Sequence, residues 1–191
     1  MRISRFISTR RVIGALVAMG VMVCAIAVPA GTAQAIEDPS YFLRMQNAET
    51  FRYLTIGNGS TTPGTSAIQW TWLSGREQQW SFEKVDDESG DSWDQWIITN
   101  GHSNDCLAIP AGSTADGTGA IQWPCTWLSD TELGLPDQRW YVQPDSVLGG
   151  YRIMNVKSGK CLAIPAGNTT LGIQAIQWTC AYDLDQRWWL F

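Results

Sequence analysis

One segment occurs three times in this chain, and that repetition constrains the fold more than anything else in its 191 residues. Cys106-Leu107-Ala108-Ile109-Pro110-Ala111-Gly112 recurs as Cys161-Leu162-Ala163-Ile164-Pro165-Ala166-Gly167. Ala120-Ile121-Gln122-Trp123 recurs as Ala175-Ile176-Gln177-Trp178 and stands earlier as Ala67-Ile68-Gln69-Trp70. A Gln-x-Trp triplet closes each copy, at Gln78-Gln79-Trp80, Gln138-Arg139-Trp140 and Gln186-Arg187-Trp188. Asn100 and Asn155 each precede a first Cys by six residues, and the same count from Asn47 reaches Tyr53. Tyr53 therefore takes the Cys place in copy one, and Trp72, nineteen residues on, takes the second. A rival register matches Thr71-Trp72-Leu73-Ser74 with Thr126-Trp127-Leu128-Ser129 and deletes two residues from copy one. The ungapped register keeps the seven-residue step from Trp70 to Glu77 equal to that from Trp178 to Asp185, and is preferred. It predicts an aromatic pair where the other copies have cysteines.

Short apolar stretches alternate with polar residues, as at Tyr151, Ile153 and Asn155, and no helical period is sustained. Gly59, Gly112 and Gly167 share one offset, and Gly64, Gly117 and Gly172 another, which reads as turns needing positive φ or close backbone approach. Three copies of about 50 residues, each with several short strands, imply an all-β body with pseudo-threefold symmetry. A three-repeat solenoid is the rival, but the polar caps its ends need are not visible.

Residues 1–35 read as a secretory signal peptide. Arg10 and Arg11 precede an apolar run from Val12 to Val28, and Ala33-Gln34-Ala35 supplies the small-residue cleavage site. The run is slightly short for a membrane anchor, the competing reading, and Val23 before Cys24 argues against lipoprotein processing. Signal removal takes Arg2, Arg5, Arg10 and Arg11, so 9 basic residues face 18 acidic ones and the charge is −9. A surface this acidic repels phosphate backbones and anionic lipid, so nucleic acid and stable membrane insertion are not expected. Cys106 and Cys125 are nineteen residues apart, as are Cys161 and Cys180. Equal intervals in similar segments favour those two disulfides over a zinc site, which would need shorter spacing. One His, His102, and no nucleophile, metal or phosphate-loop motif leave little material for catalysis. No cofactor or metal is expected. Eleven Trp, all after residue 35, exceed what a core of this size requires.

The three Gln-x-Trp triplets, Cys-Leu-x-Ile-Pro and Ile-Gln-Trp-x-Cys resemble the ricin B-type lectin family, also known as the family 13 carbohydrate-binding module. The resemblance covers about residues 41–191 and implies a β-trefoil over 36–191, with repeats at about 41–94, 95–149 and 150–191. It implies that Trp80, Trp140 and Trp188 are core residues. It also implies one shallow sugar pocket per repeat, with an aromatic platform at Trp70, Trp123 and Trp178. The family's pocket Asp, two residues after the first Cys, is replaced by Thr55, Ala108 and Ala163, and its Asn before the Gln-x-Trp triplet by Glu77, Asp137 and Asp185. Two readings follow. In one, the trefoil is a scaffold and these acids are solvated. In the other, the carboxylate that accepts sugar hydroxyls now comes from the Gln-x-Trp side of the pocket.

The sequence thus points to a secreted, non-catalytic, monomeric protein that binds neutral carbohydrate or polysaccharide through Trp178 and Asp185, Trp123 and Asp137, and Trp70 and Glu77. The rival is a protein-binding trefoil, such as a protease inhibitor or adhesion factor, that has lost its sugar sites. Such a protein would use a long exposed loop, and copy two has one: Cys125 to Asp137 spans twelve residues where Cys180 to Asp185 spans five. All three platforms survive, which favours sugar.

Overall fold

The computed structural model describes residues 42–85, 93–126 and 134–191. The predicted signal-peptide segment, the Asp86-Asp87-Glu88 connector and most of the copy-two insertion lie outside the described residues. Each repeat supplies four strands. Copy one has β1 (Met45–Asn47), β2 (Tyr53–Ile56), β3 (Ala67–Trp70) and β4 (Trp80–Val85). Copy two has β5 (Gln95–Asn100), β6 (Cys106–Ala108), β7 (Ile121–Trp123) and β8 (Arg139–Pro144). Copy three has β9 (Tyr151–Asn155), β10 (Cys161–Ala163), β11 (Ile176–Trp178) and β12 (Trp188–Leu190).

The first and last strands of the repeats form a barrel: β4 pairs with β5, β5 with β8, β8 with β9, β9 with β12, and β12 with β1. Leu43 and Trp80 exchange two 2.8 Å main-chain hydrogen bonds and close the ring. The middle strands form three hairpins, β2–β3, β6–β7 and β10–β11. Bridges between equivalent positions join the hairpins in a cycle: Ser66 to Ile121, Gly119 to Ile176, and Gln174 to Ile68. Because copy three returns to pair with copy one, no end repeat needs a cap, and the solenoid alternative fails. The fold is a β-trefoil.

The repeated letters are the parts that make this closure possible. Trp80, Trp140 and Trp188 are fully buried, and their indole N–H groups donate to the carbonyls of Leu54, Leu107 and Leu162 at 3.1, 2.9 and 2.9 Å. Truncating any one to Ala would cost about 3–5 kcal/mol. Buried Gln69, Gln122 and Gln177 each reach into the preceding copy around the ring. Gln122 donates to the Ser60 and Thr62 carbonyls and Gln177 to those of Ser113 and Ala115. Gln69 donates to the carbonyls of Asn168 and Thr170.

The ungapped register holds. Tyr53 lies opposite Trp70 as Cys106 lies opposite Trp123 and Cys161 opposite Trp178. Cys106–Cys125 and Cys161–Cys180 are bonded. In their place copy one has the Tyr53 and Trp72 rings, 5.3 Å apart and tilted by 49°, with the Arg44 guanidinium 5.0 Å from the Trp72 ring.

Candidate functional site

Copy three builds a cavity of about 390 Å³ beside its hairpin. It is lined by Trp178 at the end of β11, by the apolar Ala163, Ile176, Pro165 and Ala166, and by Ala181, Asp183, Asp185 and Gln186 from the chain before β12. The platform residue and the acid singled out in the sequence therefore share one concavity.

Trp178 is 46 % exposed, yet it is braced from copy two. A β-carbon on Gly117 would stand 3.7 Å from its ring edge, and one on Gly64 or Gly172 would stand 3.6 Å from Trp123 or Trp70 in the same way. Gly64, Gly117 and Gly172 have φ of +86°, +79° and +83°. The turn thus needs a residue free of Cβ strain, and it packs against the edge of the indole. Next to Trp178, the Thr179 N–H donates to Asp116 at 2.7 Å, and Lys160 pairs with the same carboxylate at 2.7 Å. Lys160 also donates to Thr179 Oγ1 at 3.0 Å. Trp123 is 47 % exposed, whereas Trp70 is half-buried.

The acid is held by its main chain. The Asp185 carbonyl accepts from Asn47 Nδ2 at 2.8 Å and from the Ile164 N–H at 3.0 Å. Asn100 holds the Glu77 carbonyl and Asn155 the Asp137 carbonyl, each at 2.9 Å. The Gln of each Gln-x-Trp triplet clamps the loop before it. Gln186 accepts from the Ala181 N–H at 2.7 Å and donates to the Thr179 carbonyl at 3.1 Å, and Gln78 and Gln138 make the equivalent bonds. With its backbone fixed, the Asp185 side chain is left for other work. Its Oδ1 is buried and accepts no hydrogen bond from another residue. Burial, then the charges of Asp183 and Glu49, push its pKa above the ordinary carboxylate value. A buried acceptor without a partner is costly unless a ligand supplies the donor.

Asp183, Ala181, Pro165 and Ala166 were not singled out in the sequence, although the Asp183-Leu184-Asp185 spacing hinted at two acids on one turn. Ala166 has φ +50°, as Ala111 and Asn58 have +53° and +54° at the same offset. An L-residue there is strained, and all three occur on the pocket-forming turns. In copy one the Glu77 side chain folds across Gly75 and approaches Gly59, and Thr55 Oγ1 donates to the Glu77 carbonyl at 3.3 Å. In copy two Leu135 occupies the offset of Asp183. Among the described residues no group of His, Cys, Asp or Glu is arranged to hold a metal ion, and no helix is long and apolar enough to cross a membrane.

Several solved structures share this architecture. A designed threefold-symmetric protein, ThreeFoil, superposes with a TM-score of 0.67 at 27 % identity, covering 78 % of this chain and 96 % of its own. The exo-β-1,3-galactanase 1,3Gal43A from Clostridium thermocellum gives 0.66 at 27 % identity; the match covers 82 % of this chain but only 31 % of the galactanase. The ricin B-like lectin of Macrolepiota procera, solved with lactose, gives 0.62 at 20 % identity, covering 80 % and 96 %. No curated protein gives a significant match. The family model for the ricin-type β-trefoil lectin domain matches residues 41–188, and with the barrel, the three hairpin caps and the buried Gln-x-Trp tryptophans it shows that this chain belongs to the ricin B-type lectin family.

Proposed function

We propose that this protein is a secreted, non-catalytic carbohydrate-binding module whose principal site is the copy-three cavity, with Trp178 as stacking platform and Asp185 as hydroxyl acceptor. The observation that carries this is the shared cavity, which a half-exposed indole and a carboxylate line together. A pyranose offers both halves of that match, an apolar face for the ring and hydroxyl donors for the carboxylate. The family supports carbohydrate as the ligand class. The Macrolepiota lectin, solved with lactose, is a sugar-bound protein of the same fold. Secretion rests on the 1–35 segment and agrees with two disulfides. Trp123 with Asp137 and Trp70 with Glu77 are the corresponding pairs in copies two and one. Three weak sites on one body raise avidity for a polymer by about 10²–10⁴.

Titration calorimetry with neutral oligosaccharides tests the reading. Trp178→Ala and Asp185→Ala should each weaken binding by roughly 1–3 kcal/mol, with little dependence on salt. A silent Asp185→Ala in a protein that still binds through Trp178 refutes the acceptor role. Intact mass and thiol titration of exported material should show a chain starting near Ile36 with no free thiol.

A further inference from the structure

The corresponding positions of the three copies, called pockets one, two and three after the copy, carry different charges, and the difference comes from neighbouring repeats. Each repeat's asparagine ties its Nδ2 to the pocket acid of the copy before it in the ring: Asn47 to Asp185, Asn100 to Glu77, Asn155 to Asp137. Its Oδ1 accepts the N–H of the residue two positions on, which turns the chain at that pocket's rim. Those residues are Glu49 at pocket three, His102 at pocket one and Lys157 at pocket two. A β-carbon on Gly167 would meet Glu49 Cγ at 2.8 Å, and one on Gly112 would lie 3.8 Å from Lys157 Cε. Both side chains therefore lie across the turn that follows the pocket's Pro-Ala pair. The Lys157 N–H donates to the Pro136 carbonyl at 3.0 Å, next to Asp137.

The offset two before the acid differs as well: Asp183 in pocket three, Leu135 in pocket two and Gly75 in pocket one. Pocket three is thus lined by Asp185 and Asp183 with Glu49 on the adjoining turn, whereas copy two has Leu135 and Lys157 at the offsets of Asp183 and Glu49. Arg187 acts against these charges at Asp185 but is itself tied to another acid. Arg187, fully buried, pairs with Asp145 at 2.9 Å, and Lys160 pairs with Asp116.

We propose that pocket three selects a sugar bearing a free, protonated amine over its N-acylated or carboxylated counterpart, and that Glu49 and Asp183 set this selection. The proposal rests on the reading of Trp178 as a sugar platform and names the ligand class for that one pocket. An ammonium gives the Asp185 carboxylate a charge-assisted donor, is attracted by the indole face and offsets the surrounding like charges. Acetylating the amine removes that gain, and a uronic carboxylate reverses its sign.

The test is calorimetry of the mature chain with a glucosamine oligomer and its N-acetylated equivalent, at about pH 6, above the ordinary carboxylate range. The amine oligomer should bind about tenfold more tightly, the difference between a charge-assisted and a neutral hydrogen bond, and the advantage should shrink with salt. Glu49→Lys with Asp183→Leu gives pocket three the charges of pocket two. It should abolish the advantage, bringing the two oligomers to the same affinity. The same charge change on the barrel surface, Glu83→Lys with Asp94→Leu, should leave the advantage in place. An advantage that survives the pocket exchange, or is lost equally in the surface control, overturns the proposal. Equal binding of both oligomers that Trp178→Ala abolishes overturns the selection alone. Binding of neither overturns the sugar-site reading with it.

Discussion

Restoring the family's Asp at position 163 should damage this protein, and the copy-three cavity shows why. Ala163 is 1 % exposed and lines the cavity together with Asp185. The next residue, Ile164, donates its N–H to the Asp185 carbonyl at 3.0 Å, so the two positions are adjacent in the cavity. A carboxylate at 163 would lie about 5–6 Å from that of Asp185, and like charges at that distance repel by about 3 kcal/mol at an effective dielectric constant near 20. Screening at the open mouth reduces this to about 1–2 kcal/mol. Ala163→Asp also buries a charge beneath a hairpin, a cost independent of Asp185. Asp185→Asn removes only the repulsion and keeps the side chain's shape. Denaturant unfolding of wild type, both single variants and the double variant at pH 7 should therefore show a coupling. Ala163→Asp should cost about 1–2 kcal/mol less when Asp185→Asn is already present. Additivity within about 0.5 kcal/mol would mean that the two side chains do not face one another. The acceptor could not then have moved across a shared pocket.

Four further outcomes follow from the described geometry. Ala166→Gly should stabilise the fold by about 0.5–1 kcal/mol, since φ of +50° penalises a Cβ more than glycine's extra unfolded freedom costs; a loss in denaturant unfolding would contradict this. The Leu148 and Val147 N–H groups, followed by Arg187, hold Asp145 below the ordinary carboxylate range, and Lys160 with Thr179 does the same for Asp116. Their stabilisation is present above that range and lost as pH falls through the lowered values, so Asp145→Asn and Asp116→Asn should flatten the acid limb of a thermal-melt pH profile. Asp185 has the opposite sign: its raised pKa is a cost at neutral pH that acidification relieves, so Asp185→Asn should stabilise more at pH 7 than at acid pH. Finally, each disulfide closes a loop worth about 3 kcal/mol, while the Tyr53–Trp72 pair contributes about 0.5–1.5 kcal/mol. Hydrogen exchange should therefore be faster in β2–β3 than in β6–β7 and β10–β11, and uniform protection would refute that order.

Much of the fold was legible because threefold closure reuses the same letters for the same physical task. Trp80, Trp140 and Trp188 recur because one barrel centre must be filled from three sides. Gly64, Gly117 and Gly172 recur because each underlies a tryptophan of the following copy. Even the gap in the pattern was readable: Tyr53 and Trp72 sit at the cysteine offsets because two rings can fill the space of a disulfide between β2 and the chain after β3. The pairing of Trp178 with Asp185 was legible too, since both lie within copy three at offsets that the repeat fixes.

What could not be read was whatever one copy lends to another. Glu49 and Lys157 stand at equivalent offsets after Asn47 and Asn155, so the sequence shows that they correspond. It does not show that each faces the pocket of the copy before it, because that follows from the asparagine side chain crossing to a carbonyl in a different repeat. The Asp116, Lys160 and Thr179 network has the same character: three residues from two copies converge beside Trp178, whereas beside Trp123 and Trp70 the Asp116 offset of the preceding copy holds Pro63 and Leu171. Repetition exposes what the copies share, and their shared parts build the scaffold. The residues in which the copies differ decide the charge and rigidity of each pocket. They act across the boundaries between repeats, so aligning the copies reveals that they vary but not which pocket each one serves.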